Sequence, residues 1–331
     1  MSRKGGRHAD TLDKAAFRRN LIDWFKREGR DLPWRRTRDP YAILVSEFML
    51  QQTQVATVLP YYERWLKRFP TLAALAAADE QTVLSHWQGL GYYTRARNLH
   101  RLARGIREFP RGLAEWERLP GIGPYTAAAV AAFAFDDPAP VVDGNIARVL
   151  ARLLDYRDPI DTTAGKQFLK EAATALQPAS RGGAYNSALM ELGALICRPA
   201  PDCLICPVRK FCQATDPAAL PVKQRKMKIE PRVEHRAFVA DERRVWLQPA
   251  EGRQLRGFWL LPEIPAPAEE PVATIRYTIT RFPTRMHLHL KPAWPETTPF
   301  ALDELAELPI PTPHRRAIAA ARDFVHSRSS S

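Results

Sequence analysis

All four cysteines of this 331-residue chain fall between positions 197 and 212, in the stretch CRPAPDCLICPVRKFC. Cys197, Cys203, Cys206 and Cys212 are separated by five, two and five residues. Thiols crowded in this way leave few options: they cross-link, bind a metal or lie idle. Disulfides belong to oxidising compartments. Here MSRKGGRHAD is followed by an amphipathic stretch rather than an apolar leader core, so the cytoplasm is the expected compartment. The expected use is therefore a four-thiolate metal site, and tetrahedral zinc and a [4Fe-4S] cluster both fit. The Cys-x-x-Cys-Pro element from Cys203 to Pro207 leans toward the cluster, because a proline also follows a ligand cysteine in ferredoxin-type runs.

Periodicity divides the rest. From Phe17 to Cys212 apolar residues recur at helical spacing, as in TLAALAAADEQTVLSHW and ARVLARLL, with short Pro or Gly breaks. DPAALPVKQRKMKIEPRVEHR then carries three prolines and a basic run, the composition of a linker. Beyond it, RAFVADERRVWLQ and RMHLHLKP alternate with period two. The expectation is a mainly α region over 1–215, a linker over 216–232 and a C-terminal α+β domain over 233–331, ending in a helix around His314 to His326. The one low-complexity segment is the terminal SRSSS. The longest apolar stretch, TAAAVAAFAF from Thr126, is about half a bilayer span, and no membrane association is expected.

Charge points to a partner. Forty-nine Lys and Arg against 36 Asp and Glu give a net +13, which favours a polyanion through counterion release; a merely soluble basic protein is the plain alternative. Arg97, Arg101 and Arg104 share one face of a helix beside Tyr92 and Tyr93, an arrangement that suits nucleic acid. In LPGIGPYTAAAV, Gly121 and Gly123 permit a tight turn whose N–H groups approach a phosphate, with a helix N-terminus behind them. Alone, such a turn is an ordinary helix–helix corner. With its flanks it forms a helix-hairpin-helix signature.

Two carboxylates complete the pattern. Glu47 in VSEFMLQQTQV lies in an apolar run, where desolvation raises a carboxyl pKa, unless the side chain faces solvent. Asp143 in PVVDGNIARVLARL precedes a helix starting near Asn145, where the dipole and free N–H groups favour the ionised form; the plain reading is a structural cap. One acid that holds its proton and one that stays charged suit cleavage of a glycosidic bond.

The motifs LPWR, SEFMLQQTQVATV, GLGYYTRARNLH, LPGIGPYTAAAV, VVDGNIARVL, LGALIC and the cysteine loop, in this order from Leu32 to Cys212, resemble the MutY-type adenine DNA glycosylases. These belong to the helix-hairpin-helix glycosylase superfamily that includes endonuclease III. The resemblance implies a six-helix lobe, a lobe holding a [4Fe-4S] cluster on the four cysteines and a Nudix-like C-terminal domain. It also implies a monomeric base-excision-repair enzyme that removes adenine mispaired with 8-oxoguanine or guanine from duplex DNA, cytoplasmic and nucleoid-associated when bound.

Carried onto this chain, the resemblance makes Glu47 the acid that protonates adenine N7. Asp143 stabilises or transiently attacks the cationic sugar, and Asn145 supports the reacting centre. Tyr125 stands where bifunctional relatives carry a Schiff-base lysine, which implies a monofunctional enzyme. Trp34 and Arg35 resemble pocket residues around the extruded adenine. Gln52, Thr53, Leu90 and Tyr92 resemble the wedge entering the duplex beside the orphaned base. The chain departs from the family at three places. Its first cysteine gap is five residues rather than six, Ser187 replaces a Glu or Gln, and Pro283, Thr284 and Arg285 replace Phe-Ser-His. The alternatives are a pyrimidine or mismatch glycosylase of the same superfamily and a non-catalytic DNA-binding module.

Overall fold

The computed structural model describes residues 12–224, 229–252, 255–279 and 282–329. The segment MSRKGGRHAD, positions 225–228 of the expected linker and the last two serines of the tail lie outside the described residues. In chain order the described helices are α1 (Lys14–Glu28), α2 (Pro40–Leu50), α3 (Val55–Arg68), α4 (Leu72–Ala77), α5 (Glu80–Trp87), α6 (Thr94–Gly105), α7 (Leu113–Trp116), α8 (Pro124–Phe135), α9 (Gly144–Leu153), α10 (Thr163–Leu176), α11 (Gly182–Leu195) and α12 (Thr312–Ser329). The strands are β1 (Arg232–Phe238), β2 (Arg244–Pro249), β3 (Trp259–Leu260), β4 (Ala273–Ile279), β5 (Phe282–Leu290) and β6 (Thr298–Ala301). The described residues are thus mainly helical, with their strands confined to the C-terminal region.

Backbone contacts gather the chain into two units, 1–55 with 105–226 and 56–104 with 227–331. This grouping differs from the linear division expected from composition, because residues 56–104 share a unit with the C-terminal strands.

In the first unit, α2 packs on α8, and α11 packs on α1, α8 and α9. A helix apolar on all sides must be enclosed on all sides. Every residue of α2 from Tyr41 to Met49 is accordingly buried, Glu47 included. Asp39 caps this helix, accepting from the Tyr41 N–H at 3.0 Å, and Pro40 occupies its first turn. Small residues let the neighbours close in. A Cβ on Gly183 would meet the Ala132 carbonyl at 2.6 Å, and one on Gly193 would meet Asn145 Cβ at 2.7 Å. Glycine at those two places sets how near α11 lies to α8 and α9.

In the second unit, Thr71 and Asp79 cap α4 and α5, accepting from Ala74 N at 3.1 Å and Thr82 N at 2.8 Å. Trp65 and Trp87 meet edge-to-face at 5.3 Å. One sheet has the order β1-β5-β4, with β1 parallel and β4 antiparallel to β5; the other has the order β3-β2-β6. The segment RAFVADERRVWLQ therefore feeds two sheets, and it turns back on itself between them, with Ala240 bridged to Val245 and Trp246 N–H donating to the Val239 carbonyl at 2.9 Å. Phe238, Val245, Leu247, Met286, Leu288 and Ile318 form the core between strands and α12. Tyr93 packs on Phe258 with centroids 4.1 Å apart and the rings tilted by 46°, and Arg315 donates to Gln88 Oε1 at 3.1 Å, which ties α5 and α6 to the C-terminal region.

Candidate active site

Glu47 sits inside α2 with 4% of its surface exposed. Burial drives its carboxyl up from the ordinary range to about 7; a hydrogen bond from Tyr125 opposes the rise, and the nearby Asp143 charge adds to it. Glu47 Oε2 is buried with no hydrogen-bond partner. Burial, and then the Glu47 and Asp143 charges, hold the Tyr125 hydroxyl well above its usual range, so it remains a donor.

Asp143 is the N-cap of α9, accepting from Ile146 N at 2.6 Å through Oδ1 and from Asn145 Nδ2 at 3.2 Å through Oδ2. The cap is as expected, but its electrostatic consequence is not. Burial lifts Asp143 above the ordinary carboxylate range, and the hydrogen bonds from Ile146 and Asn145 offset this only in part. Glu47, Tyr125, Asp143 and Asn145 form one electrostatically coupled group in the first unit.

Trp34 and Arg35 line a cavity of about 430 Å³ together with Phe25, Ser187 and Met190. Arg35 lies over the Phe25 ring at 5.2 Å. It is held by Glu191, whose Oε2 accepts from Arg35 Nη2 at 2.7 Å while Oε1 accepts from Arg30 Nε at 2.7 Å and Arg30 N at 3.0 Å. The Glu191 side chain is fully buried. Burial alone would raise it, but the bonds from Arg30 and Arg35 win and its pKa is lowered. Sequence reasoning missed Glu191, although MELG presents the same signal as Glu47: one acid in an apolar helix.

A second missed group ties α9 to the cysteine loop. Arg148 donates to Asn145 Oδ1 at 2.8 Å, to the Gly193 carbonyl at 2.7 Å and to the Cys197 carbonyl at 2.7 Å. Arg152, one turn on and buried, donates to the Arg198 carbonyl at 2.6 Å, the Pro199 carbonyl at 3.0 Å and Cys197 Sγ at 3.3 Å. The four cysteines are half-buried free thiols. Burial pushes Cys206 up to about 11, and the charges of Cys197, Cys212 and Cys203 add to the rise, so the four thiols lie within electrostatic reach of one another. Among the described residues no set of three or more His, Cys, Asp or Glu converges on a single metal ion.

The remaining expected residues lie on turns. Gly121 has φ +84°, and Gly123 caps α8 with no atom within 4 Å of a hypothetical Cβ. Gln52 has φ +57° and is exposed, and Thr53 Oγ1 donates to the Gln51 carbonyl at 3.3 Å. In the second unit, Gly89 and Gly91 have φ +100° and +70° around a buried Leu90, and Tyr92, at φ +49°, is 39% exposed. Arg95 donates to the Leu90 and Gly91 carbonyls at 3.1 and 3.0 Å, and burial brings its pKa down to about 10. The basic face of α6 is only partly free, because Arg97 pairs with Glu80 at 2.9 Å while Arg101 and Arg104 are exposed. Thr284 is buried and donates to the Phe282 carbonyl at 3.1 Å.

Residues 45–173 match the HhH-GPD superfamily of base excision DNA repair proteins, a span that includes Glu47, Tyr125, Asp143 and Asn145. The adenine DNA glycosylase of Rattus norvegicus is 46% identical over 222 residues, 62% of this chain and 43% of that protein. That of Mycolicibacterium smegmatis is 44% identical over 195 residues, 57% of this chain and 66% of that protein. This chain therefore spans less than half the length of the rat relative. The solved structure of a thermostable thymine-DNA glycosylase superposes with a TM-score of 0.54 at 30% identity, over 60% of this chain and 95% of that one.

Proposed function

We propose that this chain, which belongs to the HhH-GPD superfamily of base excision DNA repair proteins, hydrolyses the N-glycosidic bond of adenine mispaired with 8-oxoguanine or guanine in duplex DNA. The observation that carries the reading is Glu47: a carboxyl poised at about 7 by burial, beside a second carboxylate. General acid catalysis is most effective when the pKa lies near the working pH. The orphaned Oε2 is where a base nitrogen completes the hydrogen bonding. Glu47 gives its proton to adenine N7, the C1′–N9 bond breaks, and Asp143, its carboxylate oriented by Ile146 N–H and Asn145, stabilises the cationic sugar until water adds at C1′ and returns a proton to Glu47. Asp143 serves in its ionised form, which the growing positive charge favours as the bond breaks. Tyr125 brings a hydroxyl and no amine, consistent with a monofunctional enzyme.

Trp34 and Arg35 hold the extruded adenine, with Ser187 on the same wall. Gln52, Thr53, Leu90 and Tyr92 act as the wedge, Gly121 and Gly123 approach a phosphate, and Thr284 contributes on the C-terminal side. The four cysteines fit a [4Fe-4S] cluster: the donor set is all thiol, half-buried, and has the Arg152 guanidinium beside Cys197 Sγ. Cys197, Cys203, Cys206 and Cys212 would hold the cluster, which would supply no bond chemistry to base release but would fix the loop so that Arg198, Arg209 and Lys210 face phosphate. Regions 1–215 and 233–331 act as glycosylase and Nudix-like domains joined by 216–232, in a monomeric cytoplasmic protein.

Single-turnover base release on duplexes carrying A opposite 8-oxoguanine, A opposite G, T opposite G and A opposite T tests the reading. Release of adenine from the first two supports it. Release of thymine would favour the superfamily's mismatch enzymes, and release of nothing would leave a DNA-binding module.

A further inference from the structure

Two arginines face each other across a strand pair of the C-terminal region. In the antiparallel register of β4 and β5, Arg276 stands directly opposite Arg285. Residues so placed have Cβ atoms about 5 Å apart, and like charges there destabilise a sheet. Both side chains are exposed, and among the described residues neither guanidinium is ion-paired with a carboxylate. Both line an open cavity of about 500 Å³ with Tyr277, Thr278 and Thr284, and no described acidic residue lines it. The carboxylate bonded to this wall, Glu234, accepts from the Tyr277 hydroxyl and is held away from the two arginines by Arg236, which it shares with Glu263 at 2.9 and 3.2 Å.

An anion seated between the two guanidiniums turns this repulsion into attraction. Two rigid planar forks match the oxygens of a phosphate better than ammonium groups would. We infer that Arg276 and Arg285 form a phosphate-binding site that holds one backbone phosphate of duplex DNA. The choice of DNA rests on the glycosylase reading above; the phosphate chemistry rests on the strand register and the cavity.

The test uses the full chain with Arg276→Gln, Arg285→Gln and the double variant, all exposed changes that keep the strands' length and polarity. Binding to fully paired and mispaired duplexes is measured against salt, and melting temperature against inorganic phosphate. The double variant is expected to lose about 0.9 from the slope of log affinity against log salt, the share of one phosphate. The loss should be equal for both duplexes, because a phosphate contact carries no sequence information. Phosphate should raise the melting temperature of the unaltered chain by more than that of the double variant, which keeps the other phosphate-facing groups. An unchanged slope with an unchanged phosphate response overturns the site; a lost phosphate response with an unchanged slope overturns its assignment to DNA in favour of a free phosphate. Base release by the unaltered chain, run in parallel, reports on the glycosylase reading independently.

Discussion

The Tyr125 hydroxyl stands near enough to the Glu47 carboxyl to hold its pKa down, while Oε2 of the same carboxyl is buried without a partner. A lone donor is too little to offset the desolvation of a carboxylate enclosed by α2 and its neighbours, so the proton stays on until about pH 7. Glu47→Gln keeps size and polarity but has no acidic proton. Adenine release is expected to fall on the order of 10²- to 10⁴-fold, with duplex affinity within a few-fold of the parent. Activity near the parent level in single turnover would remove Glu47 from the mechanism.

The pH profile follows from the same group. Glu47 acts in its protonated form, so the single-turnover rate should decline above pH 7 and approach a tenfold loss per unit. That limb should be absent from the residual rate of Glu47→Gln. A rate flat to pH 9 would contradict the assignment.

At alkaline pH Glu47→Gln should move stability in the opposite sense to activity. Because Glu47 is raised from 4.5 to about 7, its contribution is fully present below pH 4.5 and is lost as pH rises through 7. Buried ionisation then costs on the order of 3 kcal/mol at about 1.36 kcal/mol per unit. Glu47→Gln should therefore melt higher than the parent at pH 8, and the gap should close toward pH 5. Differential scanning fluorimetry across that range measures it.

Glu191 holds two arginines with no exposed surface of its own. Glu191→Leu leaves Arg35 and Arg30 uncompensated at the cavity wall. The expected loss is about 3 kcal/mol, the low end for a broken buried pair because Arg30 reaches solvent. Chemical denaturation reads the stability. An adenine-release KM that rises more than kcat falls would show that Arg35 is positioned for the base.

Cys203→Ser should give protein without a visible iron-sulfur absorbance and with lower solubility, while the unaltered chain purified anaerobically is expected to be brown and to carry about four iron atoms, the content of one [4Fe-4S] cluster. Colourless protein with stoichiometric zinc would decide for the tetrahedral alternative.

Much of the chemistry was legible along the chain because it is short-range. The Asp143 cap, the Gly121 turn and the cysteine spacing each involve residues within a turn or a loop of one another, where backbone geometry and dipoles dictate the outcome. An all-apolar α2 likewise announces that Glu47 is enclosed. What the sequence does not carry is which distant group meets an enclosed acid. Glu47 and Glu191 read alike, single carboxylates in apolar helices, yet one meets a tyrosine and rises to about 7 while the other meets Arg30 and Arg35 and is lowered. The same holds for Arg148 and Arg152, whose partners at Cys197 lie 49 and 45 residues away. It holds as well for Tyr93, which the local pattern assigns to a helical region and whose ring packs on Phe258. Tertiary packing chose those partners: the apolar helix encloses the acid, but the compensating charge comes from whichever segment the fold sets beside it, here Arg30 just past the end of α1 and Arg35 in the short turn Pro33–Arg35.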